Sequence, residues 1–451
     1  MTEGRDKLAT ALTGDEQHAV PKGRARRFGK FARLAGGVAG NMLAHGAAQL
    51  ATGKRPRAKD LLLTPKNAMR LTRQLAEMRG AAMKLGQIFS MDTGDLLPRE
   101  LADILATLRN AAYAMPENQL KEVLKEGLGD DYEAKLRDFE RRPFAAASIG
   151  QVHRLSTRDG RAAVLKVQYP GVRESIDSDV DNLAALLRVS GLLPKHMDMA
   201  PLLAEAKSQL HEEADYEQEA RYLKAFVRAL GDDERFLLPR LIPSLSSSRI
   251  LGMTFVPGVP IEEVAHQDDA ERARVLAVLF DLLMVELFQL RLVQTDPNFA
   301  NYQYDPDTGQ VVLLDFGASR RFKAVLTNGY RDLLAAAVAG DRELMAKAAE
   351  SIGYQIGPKG SAYRETLLDL AEIVLVPLTV NEPYDFGRSP IPQQVMERIE
   401  PLKNESAFWQ VPPVDVAYIH RKIGGLFMLA TRLNATVNVH ELLMPWLEVE
   451  S

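Results

Sequence analysis

The 451 residues, 46% hydrophobic and 26% charged, are enough to bury one large core or two, in the proportions of an ordinary soluble globular protein. With no cysteine, disulfides, thiolate metal sites and a cysteine nucleophile are all excluded. The net charge of −4 is unevenly spread: between Glu16 and Asp60 there is no acid, while lysines and arginines run from Lys22 to Lys59, so the basic charge is a local device and nucleic acid is not an expected partner.

The chain starts Met1-Thr2-Glu3-Gly4-Arg5-Asp6, without the apolar core or cleavage site of a secretory signal. Residues 34–53 are uncharged and about as long as a membrane span, yet Asn41, His45 and Gln49 recur every fourth residue as a polar stripe. Gly36, Gly40, Ala44 and Ala48 form a neighbouring stripe of small residues. Flanked by basic clusters, segment 1–60 reads as an interfacial or self-associating helix at an anionic membrane surface, which allows a homodimer.

Segment 61–140 is predicted to be helical. Thr64-Pro65 supplies a cap and a first-turn proline, and Met69, Leu71, Leu75, Met78, Met83 and Ile88 follow at three- and four-residue spacing. Lys84, Gly86 and Gln87 interrupt that apolar pattern, the glycine alone at about 1 kcal/mol against alanine. Further helices are predicted over 98–108 and 116–127, the second closed by Gly127.

From Phe144 the period shortens to that of strands. A hairpin is predicted over 152–168, turning at Arg158-Asp159-Gly160, with Lys166 alone between Leu165 and Val167. A lysine so flanked requires an anionic partner. In a nucleotide-binding loop of the form G-x-G-x-x-G-x-V, the glycine positions fall on Ala145, Ala147 and Gly150 and the valine on Val152, with Lys166 on the next strand. Two alanines keep the loop tight but restrict positive φ and the approach of backbone to phosphates. One long helix is expected over 201–230, rich in acids that could pair with Lys166. Strands follow at 235–239 and 248–256, the second ending in Thr254-Phe255-Val256, where the chain is expected to pass between lobes.

After an apolar helix over 271–289 comes Gln294-Thr295-Asp296-Pro297-Asn298-Phe299-Ala300-Asn301, then a hairpin turn at Asp305–Gly309 and a buried strand ending in Asp315-Phe316-Gly317. An aspartate, an asparagine five residues on and a strand ending in Asp-Phe-Gly form the layout of a phosphoryl-transfer site. Asp296 would position or deprotonate the nucleophile, and Asn301 with Asp315 would hold magnesium. The remainder is predicted to be helical, interrupted at Pro377, Pro383 and Pro390/Pro392.

The order of loop, lysine strand, acidic helix, hinge, Asp…Asn and Asp-Phe-Gly is that of a protein-kinase-like fold. Lys84-Leu85-Gly86-Gln87 (K-x-G-Q), Ala145-Ala146-Ala147-Ser148 and Glu213-Ala214-Asp215 (E-x-D) resemble the AarF/UbiB/ADCK atypical kinases linked to ubiquinone (coenzyme Q) biosynthesis. Tyr302–Pro306 and Ile419-His420-Arg421-Lys422 resemble its mitochondrial and alphaproteobacterial branch. The resemblance implies an α+β, bilobal kinase-like fold: a helical K-x-G-Q extension over 61–140, an N-lobe over 141–256 and a mostly helical C-lobe over 257–451. It implies ATP/ADP and Mg2+ as cofactors, with Lys166 on the α/β-phosphates and Glu213 as its likeliest acid, Glu205 and Glu212 sharing the helix. Asp296 would be catalytic, Lys84 and Gln87 would reach the nucleotide site, and Ala145–Ser148 and Thr254–Val256 would line it.

It further implies a lipid or quinone-precursor ligand, quinone-biosynthesis enzymes as partners, and a cytoplasmic protein peripheral to the inner membrane. No Ala-Pro-Glu and no obvious long activation loop follow Asp-Phe-Gly, which argues against protein substrates, and Gln294-Thr295 replace the usual His-Arg, removing the basic residue that would read an activation-loop phosphate. A small-molecule phosphotransferase and a nucleotide-gated scaffold are the competing functions.

Overall fold

The computed structural model describes residues 80–81, 114–147, 149–190, 200–400 and 412–448. The basic segment 1–60, the helices expected between Thr64 and Leu108 apart from Gly80 and Ala81, and Lys84, Gln87 and Ser148 lie outside the described residues. Contacts divide the chain into two units, one up to Arg221 together with Arg240–Phe255, the other Tyr222–Pro239 together with Val256 onward.

The first unit opens with α1 (Glu117–Leu128), which ends at Gly129 with φ 93°, two residues beyond the glycine that the sequence suggested as its stop. Gly127 serves packing instead, since an added Cβ would lie 2.6 Å from Ile250 Cδ1. Leu120, Val123 and Leu124 of α1 join Leu165, Val167 and Ile250 in one core. Those last residues come from an antiparallel sheet: β1 (Ala145–Ala146), β2 (Gly150–Ser156), β3 (Ala162–Gln168) and β5 (Ile250–Thr254), in that spatial order. Gly160, at φ 82°, makes the β2–β3 turn.

Helices α2 (Val172–Ser190) and α3 (Ala200–Glu213) follow β3. The single helix expected over 201–230 is broken after Glu213, and α4 (Tyr216–Leu230) restarts it. Asp215 explains the restart, because its Oδ1 accepts a 2.9 Å hydrogen bond from the Gln218 amide at the new N-terminus.

The second unit holds β4 (Phe236–Leu237), β6 (Val259–Pro260), β8 (Tyr302–Tyr304) and β9 (Val311–Leu313), ordered β4-β9-β8-β6 with β4 parallel to β9. Asp305 shapes the β8–β9 turn, its carboxylate accepting from the Asp307 amide (3.1 Å) and the Thr308 hydroxyl (2.9 Å). Helix α5 (Asp269–Met284) is N-capped by Asp268 and passes into a π-helical turn, Val285–Leu290, that ends at Arg291 with φ 50°. Next come β7 (Leu292–Gln294) and, after the Asp-Phe-Gly segment, its antiparallel partner β10 (Ser319–Arg321).

Helices α6 (Ala324–Val338), α7 (Arg342–Ser351) and α8 (Ala362–Thr379) lead to β11 (Tyr384–Asp385) and α9 (Ile391–Ile399). The chain closes with α10 (Val414–Leu433), β12 (Thr436–Val437, paired with β11) and α11 (Val439–Leu447). Pro377 does not break α8 at its own position as expected: it lies inside the last turn, and the helix ends two residues later at Thr379. Leu283, Leu287, Val293, Tyr330, Ile419 and Leu443 centre the core beneath β7.

Candidate active site

In the first unit, Lys166 occupies the middle of β3, whose neighbours Leu165 and Val167 are fully buried. Its ammonium donates to both carboxylate oxygens of Glu219, at 2.8 and 3.0 Å, and sits 5.2 Å from the centre of the Tyr216 ring. The Glu219 side chain is 1% exposed and that of Lys166 12%. The expectation that Glu213 would be this acid is therefore corrected to Glu219. The helix break is the cause, since Glu213 ends α3 while Glu219 lies within α4. The E-x-D segment supports the junction: the Ala214 carbonyl accepts from Gln168 Nε2 at 2.7 Å and Asp215 caps α4.

Ala145 and Ala146 are exposed and form the short strand β1, in register with Val152 and Gln151. The Ala147 amide donates to the Gly150 carbonyl at 2.9 Å, closing the turn. Gly150, the one position of the loop pattern that keeps its glycine, is where backbone comes closest: an added Cβ would lie 2.4 Å from the Val167 carbonyl oxygen. At the end of β5, the Thr254 amide is bonded to the Arg240 carbonyl and the Phe255 amide to the Ala162 carbonyl. Both N–H groups are used within the fold, at the end of the strand where Thr254–Val256 are expected to line the nucleotide site.

In the second unit, β7 delivers the loop that begins at Gln294. Thr295 ties it to the Asp-Phe-Gly segment twice, its amide (3.1 Å) and its hydroxyl (2.7 Å) both donating to the Ala318 carbonyl. Asp296 Oδ1 accepts from the Asn298 amide at 3.4 Å, and Asn298 caps the turn by accepting from the Ala300 amide at 3.2 Å. Asn301 Nδ2 donates to the Asp296 carbonyl at 3.3 Å. The Asn301 carbonyl accepts from the Leu314 amide at 3.1 Å, bringing Asn301 beside the residue that precedes Asp315. Asp315 is itself oriented by the Gly317 amide, 2.9 Å from Oδ1, and Phe316 packs on Phe226 with ring centres 5.0 Å apart.

Asp296, Asn301 and Asp315 are thus gathered on one short hairpin and its flank. With its amide nitrogen engaged, Asn301 presents its side-chain oxygen, and Asp315 presents a carboxylate; both are hard oxygen donors of the kind magnesium takes. Among the described residues no cluster of three or more His, Cys, Asp or Glu side chains forms an all-protein metal cage. Magnesium shared with nucleotide phosphates needs none, because it keeps waters and phosphate oxygens as most of its ligands. The residues present fit the ion.

The ABC1 atypical kinase-like domain matches residues 107–349. The chain belongs to the ABC1 atypical kinase-like family. It is 35% identical over 426 residues to "Atypical kinase COQ8, mitochondrial" of Saccharomyces cerevisiae, covering 94% of this chain and 85% of that protein. To "Atypical kinase COQ8B, mitochondrial" of Rattus norvegicus it is 34% identical over 428 residues, covering 94% and 81%. The resemblance drawn from K-x-G-Q, the alanine loop and Asp-Phe-Gly is borne out at the level of the family. A solved structure, "The complex structure of Rv3197-erythromycin from Mycobacterium tuberculosis", shares the fold with a TM-score of 0.58 and 24% identity over 84% of this chain and 95% of that one. The α+β kinase-like architecture stands.

Within this ABC1 chain, sequence reasoning overlooked Glu219, although a signal existed. Tyr216, Leu223, Phe226 and Leu230 recur at helical spacing as the buried stripe of α4, and Glu219 is the acid on that stripe. The clamp from Thr295 to Ala318 was also missed, because it joins residues from two separate strands.

Proposed function

We propose that the protein is a magnesium-dependent, ATP-binding atypical kinase or ATPase that supports ubiquinone (coenzyme Q) synthesis at a membrane surface. The phosphoryl acceptor is small, lipid-like or water, and not a protein. The observation that carries this reading is the tied loop, in which Asp296 and Asn301 are held to the Asp315 segment through Ala318 and Leu314.

Lys166, fixed by Glu219, would engage the α- and β-phosphates, and Asn301 and Asp315 would hold the ion. Magnesium, when bound, would supply charge neutralisation at the phosphates. Asp296 orients the acceptor hydroxyl or water and takes its proton. Between Gly317 and the start of α6 at Ala324 the chain is used in β10, paired back onto β7. That leaves no long activation segment to serve as a platform for a protein substrate.

The names of the yeast and rat relatives describe atypical kinases of mitochondria, and this supports a place beside a quinone-producing membrane. No described helix is long and apolar enough to cross a membrane. The basic segment 1–60 would hold the protein to the cytoplasmic side of an anionic inner membrane. The deciding test is magnesium-dependent ATP hydrolysis with anionic liposomes and a quinone-precursor-like phenol. Unchanged activity in Asp315→Asn overturns the proposal. Rescue of quinone production in a deletion strain by Asp296→Asn would transfer support to a nucleotide-gated scaffold.

A further inference from the structure

Beneath the loop that carries Asp296 and Asn301 lies a buried charged pair that no step above uses. Lys422, on the inner face of α10, places its ammonium 2.9 Å from Glu286 Oε2 and 3.2 Å from Oε1. The same ammonium donates to the Tyr302 hydroxyl at 2.6 Å. The two charged side chains are 5% and 1% exposed. A charge pair of this burial is costly to keep, and replacing it with apolar residues is often neutral or stabilising, so its presence asks for a purpose beyond stability.

Its connections supply one. Tyr302 follows Asn301 directly, and Glu286 Oε1 accepts from the Gln294 amide at 3.4 Å, two residues before Asp296. The pair therefore touches the Asp296–Asn301 loop at both ends. Glu286 lies in the π-helical turn, a rare conformation that concentrates at functional sites. One turn along α10 from Lys422, Gly425 lets the helix pack against the loop, since an added Cβ there would lie 2.5 Å from Pro297 Cβ. Pro297, Phe299, Tyr302, Lys422 and Gly425 line a shared apolar cleft. Burial opposes the Lys422 ammonium, but Glu286 and Tyr302 outweigh it and raise its pKa, so the lysine is charged.

We infer that Lys422 is a positioning residue: from α10, through Glu286 and Tyr302, it sets the loop so that Asn301 meets magnesium. The inference rests on the proposed function. It assigns to α10 the task of fixing the metal-binding end of the loop, 121 residues earlier in the chain.

The test uses the full chain and magnesium-ATP, with binding measured by calorimetry as magnesium is varied, alongside ATP turnover and thermal unfolding. Tyr302→Phe removes only the hydroxyl, and Lys422→Met and Lys422→Arg bracket the charge. In Tyr302→Phe, the magnesium needed for half-maximal nucleotide binding rises by about tenfold, the scale of losing a group that orients a metal ligand. ATP affinity in EDTA stays at its natural value and the chain remains folded at the assay temperature. Lys422→Arg keeps more of the magnesium response than Lys422→Met.

A natural magnesium response in folded Tyr302→Phe and Lys422→Met overturns the inference and leaves the proposed function intact. So does a loss that only tracks melting temperature and disappears when Glu286→Gln is added to Lys422→Met. If the natural chain itself shows no magnesium-dependent ATP binding, the proposed function fails and this role fails with it.

Discussion

Replacing Glu219 by glutamine keeps the size of the side chain while removing its charge and one of its two acceptor oxygens, leaving the Lys166 ammonium without the carboxylate it now touches at 2.8 Å. At that separation two unit charges in an effective dielectric of about 20 attract by about 6 kcal/mol, much of it offset by the loss of hydration. Stranding one member of a buried pair costs about 3–5 kcal/mol. Lys166 retains some access to water, with 12% of its side chain exposed, which places the expectation at the lower end, about 3 kcal/mol. The assay is a double-mutant cycle of Glu219→Gln with Lys166→Met, read by urea unfolding with a probe in the first unit and by ATP binding. We expect a coupling of at least about 1.5 kcal/mol and a loss of ATP affinity of about tenfold or more in Glu219→Gln. Glu213→Gln should couple more weakly to Lys166→Met. A Glu219 coupling below about 0.5 kcal/mol, or a larger one at Glu213, refutes the assignment of the ion pair.

Asp315→Asn should remove several kcal/mol of transition-state stabilisation and abolish magnesium-stimulated turnover while the chain remains folded, and ATPase assays across magnesium concentrations check it. The adjacent glycines of α10 should respond oppositely to alanine: Gly424→Ala meets nothing within 4 Å and should stabilise by about 0.5–1 kcal/mol, whereas Gly425→Ala drives into Pro297 and should destabilise by about 1–3 kcal/mol. Equal and same-signed shifts in melting temperature would contradict that. His153 is fully buried, donating from Nδ1 to the Glu140 carbonyl and accepting at Nε2 from Gln151, each at 2.8 Å. Burial holds its pKa below the ordinary histidine value of 6.5, so the unfolded chain binds the extra proton first. Its contribution is complete above about pH 6.5 and is lost as pH falls below that value, and His153→Gln should flatten the decline in melting temperature between about pH 7 and 5.

Much of the site was legible because its chemistry is local. Asp296, Asn301 and the Asp-Phe-Gly segment stand within one stretch whose turn residues, Asp305 to Gly309, announce the hairpin joining them. The β2–β3 hairpin was legible for the same reason, its alternating apolar residues flanking Arg158-Asp159-Gly160. Residues that depend on a helix's direction were not. The break between α3 and α4 is encoded by a single capping aspartate within an acid-rich run, and missing it moved the partner of Lys166 from Glu219 to Glu213.

By itself the sequence determined the family and the residue types on which the proposed chemistry rests: oxygen donors at Asn301 and Asp315, a carboxylate at Asp296 and a lysine at Lys166. Tertiary structure decided which groups hold them in place. Glu219 meets Lys166 across 53 positions and Lys422 meets Glu286 across 136. Patterns of three, four or two residues describe only one element at a time, so pairs so distant in the chain become neighbours only when separate elements pack.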